Sequence, residues 1–281
     1  MRFLREWLRK PACAPCGTCA GFRLEGEFEK GFYAEVTLRI AARTNFEILE
    51  ECEDWLIVDK PAPLIMHPTG KSDEVTLLGV LKEAMPALEF FFVNRLDRET
   101  SGCVLVAKNS GAARRLGKLM GRKEIKKEYE AIVWGWPEWQ ENCLTQPIRR
   151  KGEFEESEVW VRQAVHPEGK ESETGFRVEG MFEKDGDRFS MIGCEPRTGR
   201  THQIRVHLEY LGFPIVGDKI YGDEGRAYLE FLDNGWTEAL SERLRLDRQA
   251  LHARRMEFEW AGEVIVAHSK LPDELRAFCV A

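Results

Sequence analysis

The sequence predicts an α+β protein with a mixed, largely antiparallel central sheet and flanking helices, and three features of the chain support this. Strand candidates outnumber helix candidates, several strands follow one another with no helix between, and no internal repeat imposes a regular strand-helix alternation. At 281 residues the chain can bury a substantial core, as one large domain or two. The division adopted is an N-terminal extension over residues 1–45 and one domain over 46–281.

In chain order, Phe3, Leu4, Trp7 and Leu8 recur at helical spacing without the uninterrupted apolar region of a secretory signal, so they read as a short amphipathic helix. Cys13, Cys16 and Cys19 follow. A closed structural zinc site takes four ligands, and this cluster offers three with no histidine close by. A Gly/Ala/Pro linker carrying thiols is the simpler account, with metal as the alternative. Residues 33–40 alternate as a strand. Of the eight cysteines, the remaining five (Cys52, Cys103, Cys143, Cys194 and Cys279) read as reduced thiols of the core or surface.

From residue 46 the pattern tightens. Residues 55–60 read as a strand, and Pro61, Pro63 and Pro68 preclude regular structure in the loop after it. A helix is expected over 75–84, with Leu77, Leu78 and Leu81 on one side and Pro86 ending it. The runs 90–93 and 103–107 are rich in aromatic or β-branched residues and read as buried strands. Ser110 is expected to cap a helix reaching Met120, with Ala113, Leu116 and Met120 inward and Arg114, Arg115 and Lys118 outward. Alternation then predicts a strand with Tyr129, Ala131 and Val133 on one face, so that Tyr129 points inward. Further strands are expected over 158–163, 173–178 and 188–194. The last clear helix is expected to start at a Thr201 cap, to carry Ile204, Leu208 and Leu211 at helical intervals, and to close at Gly212 and Pro214, which places Arg205 near its start.

The formal charge of −7 argues against blanket adhesion to nucleic acid, but the charge is uneven. Lys108, Arg114, Arg115, Lys118, Arg122, Lys123, Lys126 and Lys127 face the single acid Glu124; Arg149, Arg150 and Lys151 form a smaller run, and Arg254 and Arg255 another. A local basic face on an acidic protein suits a polyanion bound at one place, the alternative being a solvated helix face. No apolar run approaches the length of a membrane span, and a cytoplasmic location is expected.

The stretch with the greatest chemical potential is the loop joining the runs 90–93 and 103–107. It holds Asn94, Arg95, Asp97, Arg98, Glu99, Thr100 and Ser101 and closes on Gly102. Two buried strands joined by so many ionisable groups present those groups at the rim of a sheet, where a fixed scaffold offers them to a ligand; a structural ion-pair loop is the alternative. His202 and His207, five residues apart, share neither a helix face nor one side of a strand, so no metal site is assigned to them.

Asn94-Arg95-Leu96-Asp97 with Thr100-Ser101-Gly102 resembles the catalytic motif of the RluA-type pseudouridine synthases, usually His-Arg-Leu-Asp with Thr-Ser-Gly a few residues on. The resemblance extends in order through Lys127 and Tyr129 leading to Gly135, the run from Thr198 to His207, Gly217-Asp218-Lys219 with Tyr221-Gly222, and Leu251-His252-Ala253. It covers about residues 50–278, and several co-linear motifs make it specific.

The resemblance implies the pseudouridine synthase fold and isomerisation of a uridine in rRNA or tRNA to pseudouridine, the base being cut from its sugar, rotated and rejoined through carbon. It implies that Asp97 is the nucleophile or anionic stabiliser, that Tyr129 stacks on the base and can shuttle a proton, that Arg205 pairs with Asp97, and that Arg95 fills the space the uridine leaves. It further sets Arg200, His202 and Gln203 against the substrate. No cofactor, no metal and no obligatory protein partner are implied, and a monomer is expected. The chemistry of the side chains suits these roles. A carboxylate can attack an anomeric centre, an arginine keeps it ionised in a partly dry pocket, and an extruded base recovers lost stacking on a ring or a guanidinium. Thr100, Ser101 and Gly102 are expected to serve the backbone, and Asn94, in place of histidine, the scaffold. Residues 1–45 show no clear S4-type RNA-binding domain. The rivals are an RNA-binding protein of this fold without turnover, and a hydrolase using Asp97 as base with a water-activating metal.

Overall fold

The computed structural model describes residues 47–68 and 75–280, so the expected N-terminal helix, the cluster of Cys13, Cys16 and Cys19 and the strand over 33–40 lie outside the described residues. The described chain runs β1 (Glu47–Glu51), β2 (Trp55–Lys60), α1 (Leu77–Ala84), β3 (Phe91–Phe92), β4 (Ser101–Ala107), α2 (Ser110–Gly121), β5 (Lys126–Trp134), β6 (Glu141–Leu144), β7 (Ile148–Arg150) and β8 (Gln163–Val165). It continues β9 (Thr174–Lys184), β10 (Asp187–Pro196), α3 (Gln203–Tyr210), α4 (Arg226–Asn234), α5 (Glu238–Leu244), β11 (Leu251–Trp260), β12 (Glu263–His268) and α6 (Asp273–Cys279). The main sheet has the order β1-β2-β4-β11-β5-β10-β9-β6, with β3 on β4 and β12 on β11, while β7 and β8 pair separately. Every pairing in it is antiparallel except β4 with β11, so the predicted class and sheet type are those observed.

The unbroken apolar runs of β2 and β4 have a physical reason: the sheet centre is covered on both faces. Leu56, Val58, Val104 and Val106 face a core shared with Leu77 and Leu81 of α1, Leu208 of α3 and Leu275 of α6. Trp55, Ile57, Cys103 and Leu105 face the opposite core, closed by Ala112 and Leu116 of α2 and by Met256 and Phe258 of β11. The Trp55 and Phe258 rings meet edge-on at 5.3 Å. All seven residues of β4 are buried, which makes it the rigid support for the loop preceding it.

Several expected boundaries change. The strand expected over 90–93 is only two residues long, and Phe91 is exposed. Asn109, not Ser110, caps α2, its side-chain oxygen accepting from the Ala112 amide at 2.8 Å. Over 158–163 the chain turns: Val159 and Arg162 are buried while Trp160 between them is exposed, a three-residue period that belongs to a turn, and the strand begins only at Gln163. Thr201 does not cap α3. His202 does, in the left-handed region at φ 56° and with no side-chain cap, because Gln203 organises the preceding loop from within. The basic pair Arg254 and Arg255 is not a free basic surface: Arg254 pairs with Glu128, Glu130 and Glu179, and Arg255 with Glu128 and Glu257. Among the described residues no helix is long and apolar enough to cross a membrane.

Gly102 stands where β4 meets β11. Its φ is +110°, and a Cβ there would lie 2.3 Å from the Ala253 carbonyl oxygen, so the position requires the absence of a side chain. Gly102→Ala is expected to lower the unfolding free energy by ~2 kcal/mol or more, since strain of left-handed backbone adds to the steric overlap. The urea midpoint reads this directly, and an unchanged midpoint would contradict the close approach.

Candidate active site

The loop between β3 and β4 is held from every side. Asn94 clamps it to β4: its Oδ1 accepts from the Leu105 amide at 2.8 Å and its Nδ2 donates to the Cys103 carbonyl at 3.3 Å. This is the scaffold duty expected of that residue. The Thr100 amide turns back to the Asp97 carbonyl at 3.1 Å. Lys60, fully buried at the end of β2, donates to the carbonyls of Pro61, Leu64 and Arg98, joining the proline loop to the loop that carries Asp97. Burial and the Arg248 charge push the Lys60 ammonium down to about 7, while the charges of Asp97 and Asp59 support its charged form. Lys219 reaches Glu99 at 2.7 Å.

The hydroxyls of Thr100 and Ser101 bond side chains across the sheet rather than their own loop. Thr100 Oγ1 accepts from Gln249 Nε2 at 2.6 Å, and Ser101 Oγ lies 3.0 Å from His252 Nδ1 and accepts from Arg248 Nη2 at 3.3 Å. The expectation that they cap the loop backbone is therefore corrected. They lock the loop to the segment that enters β11, and the register His252–Ser101 and Ala253–Gly102 shows the same junction in the backbone.

Asp97 rises from this loop into a cleft of ≈ 430 Å³ lined also by Arg95, Lys123, Lys127, Tyr129, Arg200, His202 and Arg205. Its side chain is 33% exposed, whereas that of Arg205 is 5% exposed. Arg205 Nη1 donates to Asp97 Oδ2 at 2.8 Å. On its other side the same guanidinium grips Asp218, with Nε to Oδ2 at 2.7 Å and Nη2 to Oδ1 at 2.9 Å. Asp218 is itself pinned, its Oδ1 accepting from the amides of Ile220 and Tyr221. The Tyr221 ring packs against Arg205, 4.9 Å from the guanidinium carbon. Burial works against the Arg205 charge, but Asp218 and Asp97 outweigh it and push its pKa up, so it stays a cation.

Burial pushes the Asp97 carboxyl up, and the His202 ring, the Arg205 charge and hydrogen bonds from Arg205 and Gln249 pull it below the ordinary carboxylate value. At neutral pH the Arg205 charge is the effective one, because burial and Arg205 itself push the His202 imidazole down to about 4 and leave it neutral. Arg205 engages Oδ2, and with Gln249 also bearing on the carboxyl the charged group is held in place at the cleft.

His202 lies 3.8 Å from Asp97 Oδ2 through Nε2, and its Nδ1 is 2.9 Å from the Tyr221 hydroxyl. That hydroxyl also accepts from the Gln163 amide, so Tyr221 fixes the orientation of the His202 ring and turns its Nε2 toward Asp97. Tyr129, on β5, is 8% exposed and lines the same cleft. Burial pushes its phenol well above the ordinary value, with Cys103 and Asp97 adding to it, so it is neutral and offers a ring face and a hydroxyl. Arg95 is exposed at the cleft and makes no hydrogen bond or ion pair among the described residues.

Gln203, expected against the substrate, lines the cleft with its amide engaged at both ends. Its Oε1 accepts from Thr198 Oγ1 and the Arg200 amide, and its Nε2 donates to the Glu173 carbonyl and Thr174 Oγ1. An amide with both ends so occupied shapes the loop over 198–200. His207 points away from the cleft to Ser172, Thr174 and the Gln146 carbonyl. Sequence reasoning passed over Asp218, Tyr221, Lys60 and Gln249. Asp218 and Tyr221 had a signal, since both stand in the quoted Gly217-to-Gly222 motif; Lys60 and Gln249 act by reaching backbone and hydroxyl groups that only the folded chain brings near.

The comparisons with known proteins agree with one another. A family model described as RNA pseudouridylate synthase matches residues 54–210. The chain is 35% identical over 235 residues to the ribosomal large subunit pseudouridine synthase D of Vibrio cholerae, covering 81% of this chain and 68% of that protein. It is 34% identical over 236 residues to the protein of the same name in Escherichia coli, with 82% and 68% covered. Among solved structures it resembles human RNA pseudouridylate synthase domain containing 1, with a TM-score of 0.63, 26% identity, and 81% of this chain and 84% of that one covered. Human RNA pseudouridylate synthase domain containing 4 shares the fold at a TM-score of 0.65 and 23% identity, with 87% and 95% covered.

Proposed function

The chain belongs to the RNA pseudouridylate synthase family, on its RluA-type branch, and from that premise we propose that it isomerises uridines of large-subunit ribosomal RNA with Asp97 as the nucleophile or anionic stabiliser. The observation that carries the role of Asp97 is the fixed chain Asp97–Arg205–Asp218, which holds an ionised carboxylate at the mouth of a basic cleft. The choice of ribosomal RNA rests on the names of the relatives, transfer RNA being the other expected class.

A uridine extruded from its stack enters the cleft, and its base lies against the Tyr129 ring, which recovers part of the lost stacking. Arg95, which makes no hydrogen bond or ion pair among the described residues, fills the gap left in the RNA. The Asp97 carboxylate then meets the anomeric carbon as the bond to N1 breaks, either forming an ester there or stabilising the positive charge that develops. Arg205 keeps the carboxylate ionised and oriented throughout. The base turns and rejoins through C5; the proton lost from C5 balances the one gained at N1, and the neutral Tyr129 hydroxyl and the neutral His202 ring are the groups that line the cleft to exchange or hold it. Nothing is oxidised or hydrolysed, so the chemistry calls for no redox cofactor or metal. Asp97, Tyr129 and Arg205 meet within one catalytic domain, proposed to span 46–281.

The test is to map pseudouridines in cellular RNA with and without the protein, then to restore them with the purified chain on an unmodified large-subunit RNA transcript. Specific sites should vanish and return. If no uridine depends on the protein, the assignment falls and the reading as a non-catalytic RNA binder takes its place.

A further inference from the structure

The segment between β6 and β9 carries a feature the reaction does not use. Trp160 is 70% exposed, more than any other large apolar side chain among the described residues, although Val159 and Arg162 on either side of the turn are buried. Keeping a ring of that area in water is unfavourable unless something covers it in the working complex. The Arg150 guanidinium carbon lies 3.9 Å from the Trp160 ring centroid, holding the ring by one face, and no other ring or cation among the described residues stacks on it.

Arg150 also lines a groove of ≈ 540 Å³ together with Arg149, Gln163, Lys170 and Arg200. The acids lining it are Glu153, which pairs with both Arg149 and Arg150, and Glu168, which pairs with Arg149, against the four cations Arg149, Arg150, Lys170 and Arg200. Arg200 donates its Nε to the Glu171 carbonyl at 2.8 Å, which orients its terminal nitrogens outward, and Lys170 makes no side-chain bond among the described residues. The groove therefore keeps an excess of positive charge. It is continuous with the cleft of Asp97, since Gly199, Arg200 and Thr201 line both.

We propose that this groove binds the single-stranded RNA segment adjoining the target uridine, with an unstacked flanking base on Trp160 and the backbone phosphates on Lys170 and Arg200. The inference rests on the pseudouridine synthase reading of the cleft. A π face backed by an arginine, beside cations that track a backbone, is the combination by which proteins hold unpaired nucleotides. Continuity with the cleft favours RNA over a protein as the occupant, because a strand whose uridine has entered the cleft must leave it past Arg200.

The experiment uses the full chain and its Trp160→Ala, Trp160→Phe and Lys170→Gln variants. Affinity for an oligouridylate of about ten nucleotides is read by fluorescence anisotropy, and turnover is read on an unmodified large-subunit RNA transcript. Trp160→Ala should weaken oligouridylate binding ~10-fold, the scale of one lost base stack, and raise KM by a similar factor with kcat unchanged. Trp160→Phe should stay within about twofold of wild type, because a smaller ring still stacks. Lys170→Gln should flatten the salt dependence of binding by about one phosphate contact. Unchanged affinity in Trp160→Ala overturns the proposal and leaves the platform to a protein partner; an equal loss in Trp160→Phe, or a loss confined to kcat, overturns it as well. A wild-type chain that binds the oligouridylate through Trp160 yet converts no uridine would instead sink the reading of the cleft, so the two failures are distinguishable.

Discussion

Asp97→Asn should abolish pseudouridine formation, with kcat falling by about 10⁴-fold or more, the scale seen when an enzyme loses its nucleophile. The substitution keeps the shape of the side chain, and its amide oxygen can still accept from Arg205. Asp218 continues to hold Arg205 through two bonds, so the guanidinium is not left as an uncompensated buried charge. RNA affinity and the urea midpoint should therefore stay near those of the wild type. Single-turnover assays on an unmodified transcript make the measurement, with binding followed in parallel. Turnover at the wild-type rate would end the assignment of Asp97 to the chemistry.

Arg205→Gln should be the most damaging single change to stability and activity together. It leaves two carboxylates facing one another across the space of a removed cation, and breaking a buried pair by taking one partner costs about 3–5 kcal/mol. Arg205→Lys should recover only part of this loss, since one ammonium cannot span the fork that Asp97 and Asp218 share. The pH dependence follows in sign. In the wild type the depressed Asp97 carboxyl contributes stability that is present above the ordinary carboxylate value and is lost as pH falls through its lower folded value. Without Arg205, burial acts on Asp97 with its cationic partner gone, and its carboxyl moves up from the wild-type value. The stability deficit of the variant should then shrink on mild acidification, and the acid limb of any residual activity should move to higher pH. Urea midpoints and kcat against pH check both, and a variant as stable and as active as the wild type would refute the buried triad.

Local pattern carried much of this fold into the sequence. The inward aspect of Tyr129 followed from alternation along β5, the position of Arg205 from helical spacing in α3, and the outward arginines of α2 from the inward placement of Leu116. What local pattern missed depended on distant partners. A turn such as that at Trp160 looks like a strand until tertiary burial of Val159 and Arg162 sets a different period. The start of α3 was read one residue early because a threonine is a good cap in isolation, whereas Gln203 had already taken over the loop ahead of it. The basic pair Arg254 and Arg255 could not be known as neutralised until β5 and β9 laid Glu128, Glu130 and Glu179 beside it. Asp218 was written in a recognised motif, but its purpose is visible only as the second grip on Arg205.

The junction of β4 with β11 has a consequence for how the enzyme is made. Thr100, Ser101 and Gly102 take their props from Arg248, Gln249, His252 and Ala253, and Arg205 takes its anchor from Asp218. During translation Asp97 emerges long before any of these. A nascent chain halted short of residue 248 carries the reactive carboxylate on a loop tied only by Asn94 and Lys60, so the props that complete it arrive late in synthesis.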